Sequence, residues 1–346
     1  MSKMLEEIHE QPAVIRRLVA AERKNALQIA DELKRRNVTF AAMAARGTSD
    51  NAATFGKYLF GITTGMPVEL TAPSIFTLYK AKPNFTGAFV VGISQSGQAA
   101  DVIEYLRESK AAGAVTACIT NEAGSEMTKA ADFTLLCHAG AERSVAATKT
   151  YTATLAALTV LCAAMTGRED LIDGLLEAAD GIEEFLDCCE ETISDRVERY
   201  RYMNDCIVLA RGINRATAFE SALKMAETCY VSADPYSAAD FLHGPIAVVN
   251  EELPCFMYAP AGPGLDSMRD MAKRLQSKRA EIIAISNDQE MLSYARTPFK
   301  IPVQVDELLS PIVYIVAGQL FAQYLAVTRG LDPDSPRGLS KVTITR

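Results

Sequence analysis

The sequence predicts an α/β protein built from two copies of one unit, each copy a parallel β-sheet with helices on both faces. Short apolar, partly β-branched segments, such as residues 87–93, alternate with stretches of helical periodicity over short spacings. The chain also repeats itself. Ala-Arg-Gly at residues 45–47 returns at 210–212, an offset of 165 (210 − 45), and Ile-Thr-Asn at 119–121 is echoed one residue later than that offset by Ile-Ser-Asn at 285–287.

The elements follow one another in a regular order. Apolar residues at helical spacing among many charges predict one or two amphipathic helices over residues 4–36. Strands are predicted at residues 38–45, 67–70, 87–93, 114–119, 133–137 and 255–259, and helices at 51–60 and 151–165. Residues 171–200 predict an acidic helical pair. The predicted organisation is N-terminal helices at 1–37, a first subdomain at 38–166, a helical connector at 167–200, a second subdomain at 201–330 and a tail at 331–346.

Composition excludes several classes of function. The formal net charge of −8 over 346 residues argues against nucleic-acid binding. We expect no signal peptide, because charges interrupt every apolar run between residues 1 and 17. We expect no membrane span, because the apolar runs at 151–165 and 312–327 are short. The eight cysteines form no C-x-x-C pair and the three histidines lie far apart, so we predict a cytoplasmic protein with no metal site.

A polar turn between a strand and a helix, Ser94-Gln95-Ser96-Gly97, is the first candidate site. Such a turn exposes backbone N–H groups at the positive end of a helix dipole, where an anion is favoured. The two hydroxyls add donors, and the glycine allows the backbone to approach a ligand. The turn therefore predicts a phosphate cradle. The alternative is an ordinary turn in which a serine caps the helix.

A second candidate lies on a predicted helix over residues 217–227. Glu220, Lys224 and Glu227 are four and then three residues apart, so they share one face. A solvated row of salt bridges would give the same pattern. Apolar neighbours such as Phe219 and Leu223 predict instead that the helix is half buried, where a carboxylate beside a lysine can act as a base.

Three further residues have two interpretations each. His243 precedes a Gly-Pro loop, which favours the edge of a site, although a lone histidine is often structural. Lys341 lies in a terminus that would ordinarily fray, but apolar Leu339, Val342 and Ile344 could anchor it. Lys149 is either a helix-start residue near the phosphate or a surface lysine.

These motifs together resemble the sugar isomerase (SIS) family, and more narrowly its amino-sugar branches. Those branches are the isomerase half of the glutamine–fructose-6-phosphate aminotransferases and the stand-alone type II glucosamine-6-phosphate deaminases. The resemblance rests on Arg46-Gly47-Thr48-Ser49, Ser94-Gln95-Ser96-Gly97, Val145-Ala146-Ala147-Thr148-Lys149 and His243-Gly244-Pro245. It implies two SIS subdomains, each with a five-stranded parallel sheet flanked by helices, in a homodimer that needs no cofactor.

The resemblance also implies roles for single residues. Thr48, Ser49, Ser94, Gln95 and Ser96 match phosphate-binding positions, and Val145 matches a backbone contact to the sugar. Glu227 matches the carboxylate that moves the proton between C1 and C2, with Lys224 and Glu220 beside it. His243 matches a ring-opening histidine supplied by the partner subunit. Lys341 matches a lysine in a tail that folds over the active site and forms an imine with the open-chain sugar.

Several positions depart from the aminotransferase pattern. Ala99 and Ala147 replace hydroxyl residues, Leu242 replaces a lysine, and Gln98 replaces a glutamate. Ser2 is not a cysteine that could act as a glutaminase nucleophile, so we expect that the chain does not take ammonia from glutamine. These departures bear on which sugar is bound more than on the type of reaction.

The sequence thus predicts an enzyme that converts glucosamine 6-phosphate and water to fructose 6-phosphate and ammonia. A ketosamine-6-phosphate deglycase and an aminotransferase-like isomerase fed by a partner remain alternatives among enzymes. A sugar-phosphate sensor is the alternative from another class. The combination of Glu227, His243 and Lys341 argues against a sensor.

Overall fold

The computed structural model describes residues 1–341. Its strands are β1 Phe40–Ala44, β2 Val68–Leu70, β3 Ala88–Ile93, β4 Val115–Thr120, β5 Phe133–Leu136, β6 Asp205–Ala210, β7 Ser232–Ser237, β8 Pro254–Tyr258, β9 Glu281–Ser286 and β10 Thr297–Lys300. Its helices are α1 Lys3–His9, α2 Gln11–Arg35, α3 Thr48–Thr64, α4 Ser74–Thr77, α5 Ala100–Ala111, α6 Glu126–Ala130, α7 Lys149–Thr166, α8 Glu169–Arg196, α9 Arg215–Cys229, α10 Ala238–Leu242, α11 Leu265–Ser277, α12 Gln289–Ser293 and α13 Ser310–Thr328.

The chain forms two compact units that are not continuous in sequence. The first-repeat unit comprises Ala13–Glu142, Lys149–Leu176, Ser340 and Lys341. The second-repeat unit comprises Met1–Pro12, Arg143–Thr148 and Glu177–Leu339. A short loop from within the first repeat is therefore part of the second-repeat unit.

Each unit contains one five-stranded parallel sheet. The strand order is β2-β1-β3-β4-β5 in the first-repeat unit and β7-β6-β8-β9-β10 in the second. Both are the doubly wound order 2-1-3-4-5. Corresponding strands begin 164 to 166 residues apart, as for β1 and β6 (205 − 40), β3 and β8 (254 − 88), and β5 and β10 (297 − 133). The internal duplication predicted from the sequence is confirmed.

The central strands are buried along their whole length. Every residue of β3 and β4 is buried, as expected for parallel strands covered on both faces. Like β9 and β10, β7 has no counterpart among the predicted strands. The β7 sequence contains Asp234 and Pro235 and is only partly buried. It pairs with β6 alone and forms the edge of its sheet, where a proline is tolerated.

Two predicted helices differ from the observed ones. The predicted helical pair at 171–200 is wrong: α8 is a single helix of 28 residues, followed by the 3₁₀ turn Val197–Tyr200. α3 begins at Thr48, so Thr48 and Ser49 lie in its first turn and not in a preceding loop. α13 has 19 residues and, by length and composition alone, could cross a membrane, but 83% of its apolar stretch is buried inside the protein.

The centre of α13 packs closely on its neighbours through Gly318. A methyl group at Gly318 would lie 2.6 Å from Ser221 Oγ on α9, and closer still to the Tyr258 hydroxyl. That hydroxyl donates a 2.7 Å hydrogen bond to Ser221 Oγ, and both residues are buried. A glycine here allows α13 and α9 to approach.

We predict that Gly318→Ala destabilises the protein, because overpacking a buried contact costs about 1–3 kcal/mol. Urea unfolding measures the change. Gly61→Ala on α3 is the matched control, since among the described residues no atom outside its chain neighbours and its own helix backbone lies within 4 Å of its added methyl group. There the helix propensity of alanine should raise stability by up to about 1 kcal/mol. Equal effects of the two substitutions would contradict the close-packing argument.

Candidate active site

The strand order places a crevice between β1 and β3 in the first-repeat unit. In a doubly wound sheet, ligands bind beyond the carboxyl ends of the strands where the winding reverses. β1 leads through Arg46 and Gly47 into α3, and β3 leads through the serine turn, residues 94–97, into α5. Of the predicted phosphate residues, Thr48 and Ser49 therefore lie in the first turn of α3 on one side of this crevice, and Ser94, Gln95 and Ser96 lie in the serine turn on the other.

Hydrogen bonds fix the serine turn. The Ser94 N–H donates to Ile119 O (3.1 Å), and the Gly97 N–H donates back to Ser94 O (3.2 Å). Gln95 O accepts from the Asn121 N–H (3.0 Å). Gly97 has a φ of +62°, and a Cβ there would lie 2.5 Å from Ser125 Cβ, so the position requires glycine.

The helix that follows this turn is not capped by a serine. The N-cap of α5 is Ala99, and no side chain among residues 1–341 caps the helix there. Ser96 Oγ accepts a 3.3 Å hydrogen bond from the Gln98 N–H, which lies before the helix. The alternative of a simple serine cap on α5 is therefore wrong, and the phosphate cradle stays a prediction.

An ion pair joins the two loops of the crevice. Arg46 Nε donates to Asp101 Oδ2 at 2.7 Å, and Asp101, in the first turn of α5, is 3% exposed. The Arg46 side chain is half exposed. The pair holds the loop after β1 against the start of α5, and the sequence analysis assigned no role to either residue.

A cavity of about 480 Å³ opens beside the serine turn in the same unit. Its walls include Gln95 and Ser96 of the turn, residues 122–125, Glu142 and Lys341. Ser125 is 5% exposed, and its hydroxyl has no hydrogen-bond partner among the described residues. The structure thus brings the tail lysine to the predicted phosphate cradle.

Glu142 holds Lys341 at the cavity wall. Lys341 Nζ donates to Glu142 Oε2 at 2.8 Å, and the glutamate side chain is fully buried. Leu339 is 47% exposed and does not anchor the tail, while Val342 and Ile344 lie outside the described residues. Sequence reasoning missed Glu142, because a single glutamate in a loop carries no pattern.

Lys149 is not a surface lysine. It is 1% exposed, begins α7, and donates from Nζ to Ala141 O at 2.8 Å. Of its two predicted interpretations, the helix-start position is confirmed. Its ammonium is held against the loop that carries Glu142.

Three charged side chains form a buried row on α9 of the second-repeat unit. Lys224 Nζ lies 3.2 Å from Glu220 Oε1 and 2.6 Å from Glu227 Oε2. Lys224 and Glu220 are fully buried, and the Glu227 side chain is 23% exposed. The predicted half-buried helix is confirmed, and the alternative of a solvated row of salt bridges is wrong.

The charge state of Lys224 follows from this arrangement. Burial is the largest influence and lowers its pKa, but the charges and hydrogen bonds of Glu220 and Glu227 together outweigh burial and raise the pKa above that of an exposed lysine. Lys224 therefore remains a cation at neutral pH. It is a fixed positive charge beside Glu227, which has the more open side chain of the two glutamates.

His243 and Val145 are also in the second-repeat unit. His243 is exposed at the end of α10, and its N–H donates to Asp240 O at 3.0 Å. The Val145 N–H donates to Asp334 O at 3.1 Å. Within residues 1–341, no cluster of three His, Cys, Asp or Glu side chains could hold a metal ion.

The second-repeat unit has a different loop at the corresponding crevice. The loop after β8, residues 259–264, offers no hydroxyl, and a Cβ at Gly262 would lie 2.9 Å from Glu307 Cδ. Burial, and then the charge of Asp306, raise the pKa of Glu307. A side-chain carboxylate therefore lies against the loop that corresponds to the serine turn of the first repeat.

We predict that Lys224→Met destabilises the protein by about 3–5 kcal/mol, because it leaves Glu220 buried without its cationic partner. Denaturant unfolding measures the loss. Lys129→Met is the control, since Lys129 makes an ion pair with Glu126 at the same three-residue spacing but is 63% exposed. That change should stay within about 0.5 kcal/mol of wild type. A Lys224→Met protein as stable as the control would contradict the buried row.

Comparisons with known proteins agree with this architecture. The model of the SIS domain matches residues 40–164 and 203–329. A glutamine–fructose-6-phosphate aminotransferase (isomerizing) of Thermococcus kodakarensis is 35% identical over 347 residues, covering 98% of this chain and 57% of the relative. The chain thus spans little more than half the length of that curated relative.

Solved structures share the whole fold. The C-terminal domain of glucosamine-fructose-6-phosphate aminotransferase from Francisella tularensis is 25% identical, with a TM-score of 0.86 over 97% of this chain and 98% of that one. A glucosamine-6-phosphate deaminase from Thermotoga maritima, 21% identical, has the same fold with a TM-score of 0.80 over 99% of this chain and 100% of that one. The chain belongs to the SIS domain family, with one match in each of its two repeats.

Proposed function

We propose that this chain is a phosphosugar aldose–ketose isomerase and deaminase, which converts glucosamine 6-phosphate and water to fructose 6-phosphate and ammonia. The observation that carries the proposal is the cavity of the first-repeat unit, which is lined by both the serine turn and the Lys341 amine. A group that binds phosphate and a nucleophilic amine are the two requirements for imine chemistry on a phosphorylated sugar.

The phosphate is proposed to bind between the start of α3, with Thr48 and Ser49, and the serine turn, with Ser94, Gln95 and Ser96. Two features support this assignment. The starts of α3 and α5 lie at the carboxyl edge of the sheet, and the ion pair of Arg46 with Asp101 holds the two loops together. Helix starts favour an anion through their N–H groups and dipole.

Proton transfer between C2 and C1 is assigned to Glu227 on the strength of the family resemblance. Its partner Lys224 stays protonated, as its raised pKa indicates. A fixed cation of this kind can stabilise the negative charge that develops on an enediol-like intermediate. Glu220 keeps that cation in place from the other side, at 3.2 Å.

The remaining assignments also rest on the resemblance. His243 assists ring opening as a residue of the partner subunit in a homodimer, which its exposed position allows. The Val145 carbonyl contacts the sugar. Lys341 receives the ketose imine and releases ammonia. We propose a cytoplasmic enzyme that uses neither a cofactor nor a metal in this reaction.

A second candidate is favoured by the names of the curated relatives, which are aminotransferases. In that case the same residues would isomerise a sugar that receives ammonia from a separate glutaminase. A deglycase acting on a phosphorylated sugar–amino acid adduct would use the same Lys341 chemistry.

We expect the purified chain to release ammonia and fructose 6-phosphate from glucosamine 6-phosphate. Coupled enzymatic detection of both products measures the reaction. Glucosamine without phosphate should react far more slowly, because the loops around the serine turn would have no anion to bind. A fructosyl-amino acid 6-phosphate, assayed alongside, tests the deglycase.

The outcomes separate the candidates. Release of amino acid from the adduct, with no ammonia from glucosamine 6-phosphate, would assign the deglycase. Synthesis of glucosamine 6-phosphate from fructose 6-phosphate only when a glutaminase is added would assign the aminotransferase-like isomerase. Binding without turnover of any of these sugars would indicate a sensor.

We predict that Glu227→Gln lowers turnover about 10²–10⁴-fold, because an amide keeps the shape but accepts no proton. Exchange of the C2 hydrogen with solvent deuterium, followed by NMR, should fall in parallel. Glu251→Gln is the control, since Glu251 is 63% exposed and lies in the same unit. Wild-type exchange in the Glu227 variant would assign the base to another residue.

A further inference from the structure

Glu142 is a buried carboxylate between a helix start and the cavity. It lies in the loop between β5 and α7, and its side chain is fully buried. Oε1 accepts from the Thr150 N–H at 3.1 Å, and Oε2 accepts from the Thr150 hydroxyl at 2.8 Å. These bonds are typical of a carboxylate that satisfies the first turn of a helix.

Helix capping does not account for the third partner. The ammonium of Lys341 reaches the same Oε2 at 2.8 Å, although the two residues are 199 positions apart. A carboxylate that only capped α7 would need no lysine from the tail. Oε2 is therefore shared between a fixed donor in α7 and the one amine that the proposed function uses.

Other charged side chains lie near the ion pair of Glu142 and Lys341. Glu122 lines the same cavity, and the buried Lys149 directs its ammonium to Ala141 O, next to Glu142 in the chain. Lys341 retains 25% of its side-chain exposure, whereas Glu142 has none. The lysine can therefore move toward a ligand in the cavity while the glutamate remains fixed.

We propose that Glu142 is the proton acceptor that activates Lys341, an inference that rests on the proposed deaminase function. An ammonium cannot attack carbon, so its proton must leave first. The hydrogen bond from Nζ to Oε2 provides the path, because its length lies within proton-transfer reach.

The step balances in atoms and charge. Lys341 gives one proton to Glu142, and its lone pair forms the N–C2 bond while the C=N electrons of the protonated ketose imine move to the substrate nitrogen. Proton transfer between the two nitrogens then lets ammonia leave as the C2=N bond to Lys341 forms. Glu142 returns its proton to the departing ammonia, which leaves as ammonium, and water later hydrolyses the lysine imine.

We predict that Glu142→Gln slows borohydride trapping of fructose 6-phosphate at Lys341 about 10²-fold near neutral pH, because the amide accepts no proton. Peptide mass spectrometry measures the adduct. The ratio of the wild-type rate to the variant rate should shrink from about pH 6 to about pH 9, as solvent base replaces the missing carboxylate.

Two further variants separate proton transfer from architecture. Thr150→Val removes the hydroxyl that bonds Oε2 but keeps the carboxylate, so it should lower the melting temperature and leave the pH profile of trapping as in wild type. Glu142→Asp keeps an acid and should retain the wild-type profile at a reduced rate. It serves as the readout if Glu142→Gln does not fold.

These experiments distinguish a failure of the role proposed for Glu142 from a failure of the proposed function. Trapping in wild type together with equal trapping and pH profile in Glu142→Gln would overturn the role of Glu142 and leave the proposed function standing. A pH profile in Thr150→Val like that of Glu142→Gln would make the role architectural and would also overturn it. If wild type neither traps a sugar nor releases ammonia from glucosamine 6-phosphate, both the proposed function and the role of Glu142 are overturned.

Discussion

The strand order of the two sheets is the constraint on which the rest of the structure depends. Because β1 and β3 lie side by side with parallel direction, their following loops leave the same edge, and the crevice between them is the place where a ligand can reach two helix starts. The second repeat has the same crevice between β6 and β8. The first repeat lines it with hydroxyls and Gly97, and the second places the Glu307 carboxylate there. One fold thus gives two chemically different edges.

Buried charge is the second organising feature. Lys224 with Glu220, Asp101 with Arg46, and Glu142 with Lys341 each contain at least one ion with little or no exposure. Such pairs are weak sources of stability, since desolvation offsets much of their attraction. Apolar side chains would serve a core at least as well. The presence of these ion pairs at loop ends and on one helix face is therefore better explained by a functional role than by a contribution to stability.

Sequence could predict the features that repeat or have a period. The two α/β repeats followed from alternating strands and an offset of 165, and the buried face of α9 followed from the spacing of its charged and apolar residues. Isolated side chains were not predictable. Glu142, Asp101 and Glu307 act through partners distant in sequence, and β7 was hidden because its Asp-Pro sequence belongs to an edge strand. The predicted subdomain boundaries remain a prediction.

Two lysines, one in each unit, show how different environments prepare the same side chain for the two roles proposed for it. Lys224 is enclosed on a rigid helix between two carboxylates, which together raise its pKa in spite of burial, so it keeps its proton. In the proposed mechanism it acts as a fixed positive charge. Lys341 has part of its side chain exposed and meets Glu142 at the cavity wall. The proposed mechanism requires a lysine that loses its proton, forms a bond to carbon and releases it again. The Glu142 carboxylate at 2.8 Å and the partial exposure of the Lys341 side chain meet these two requirements.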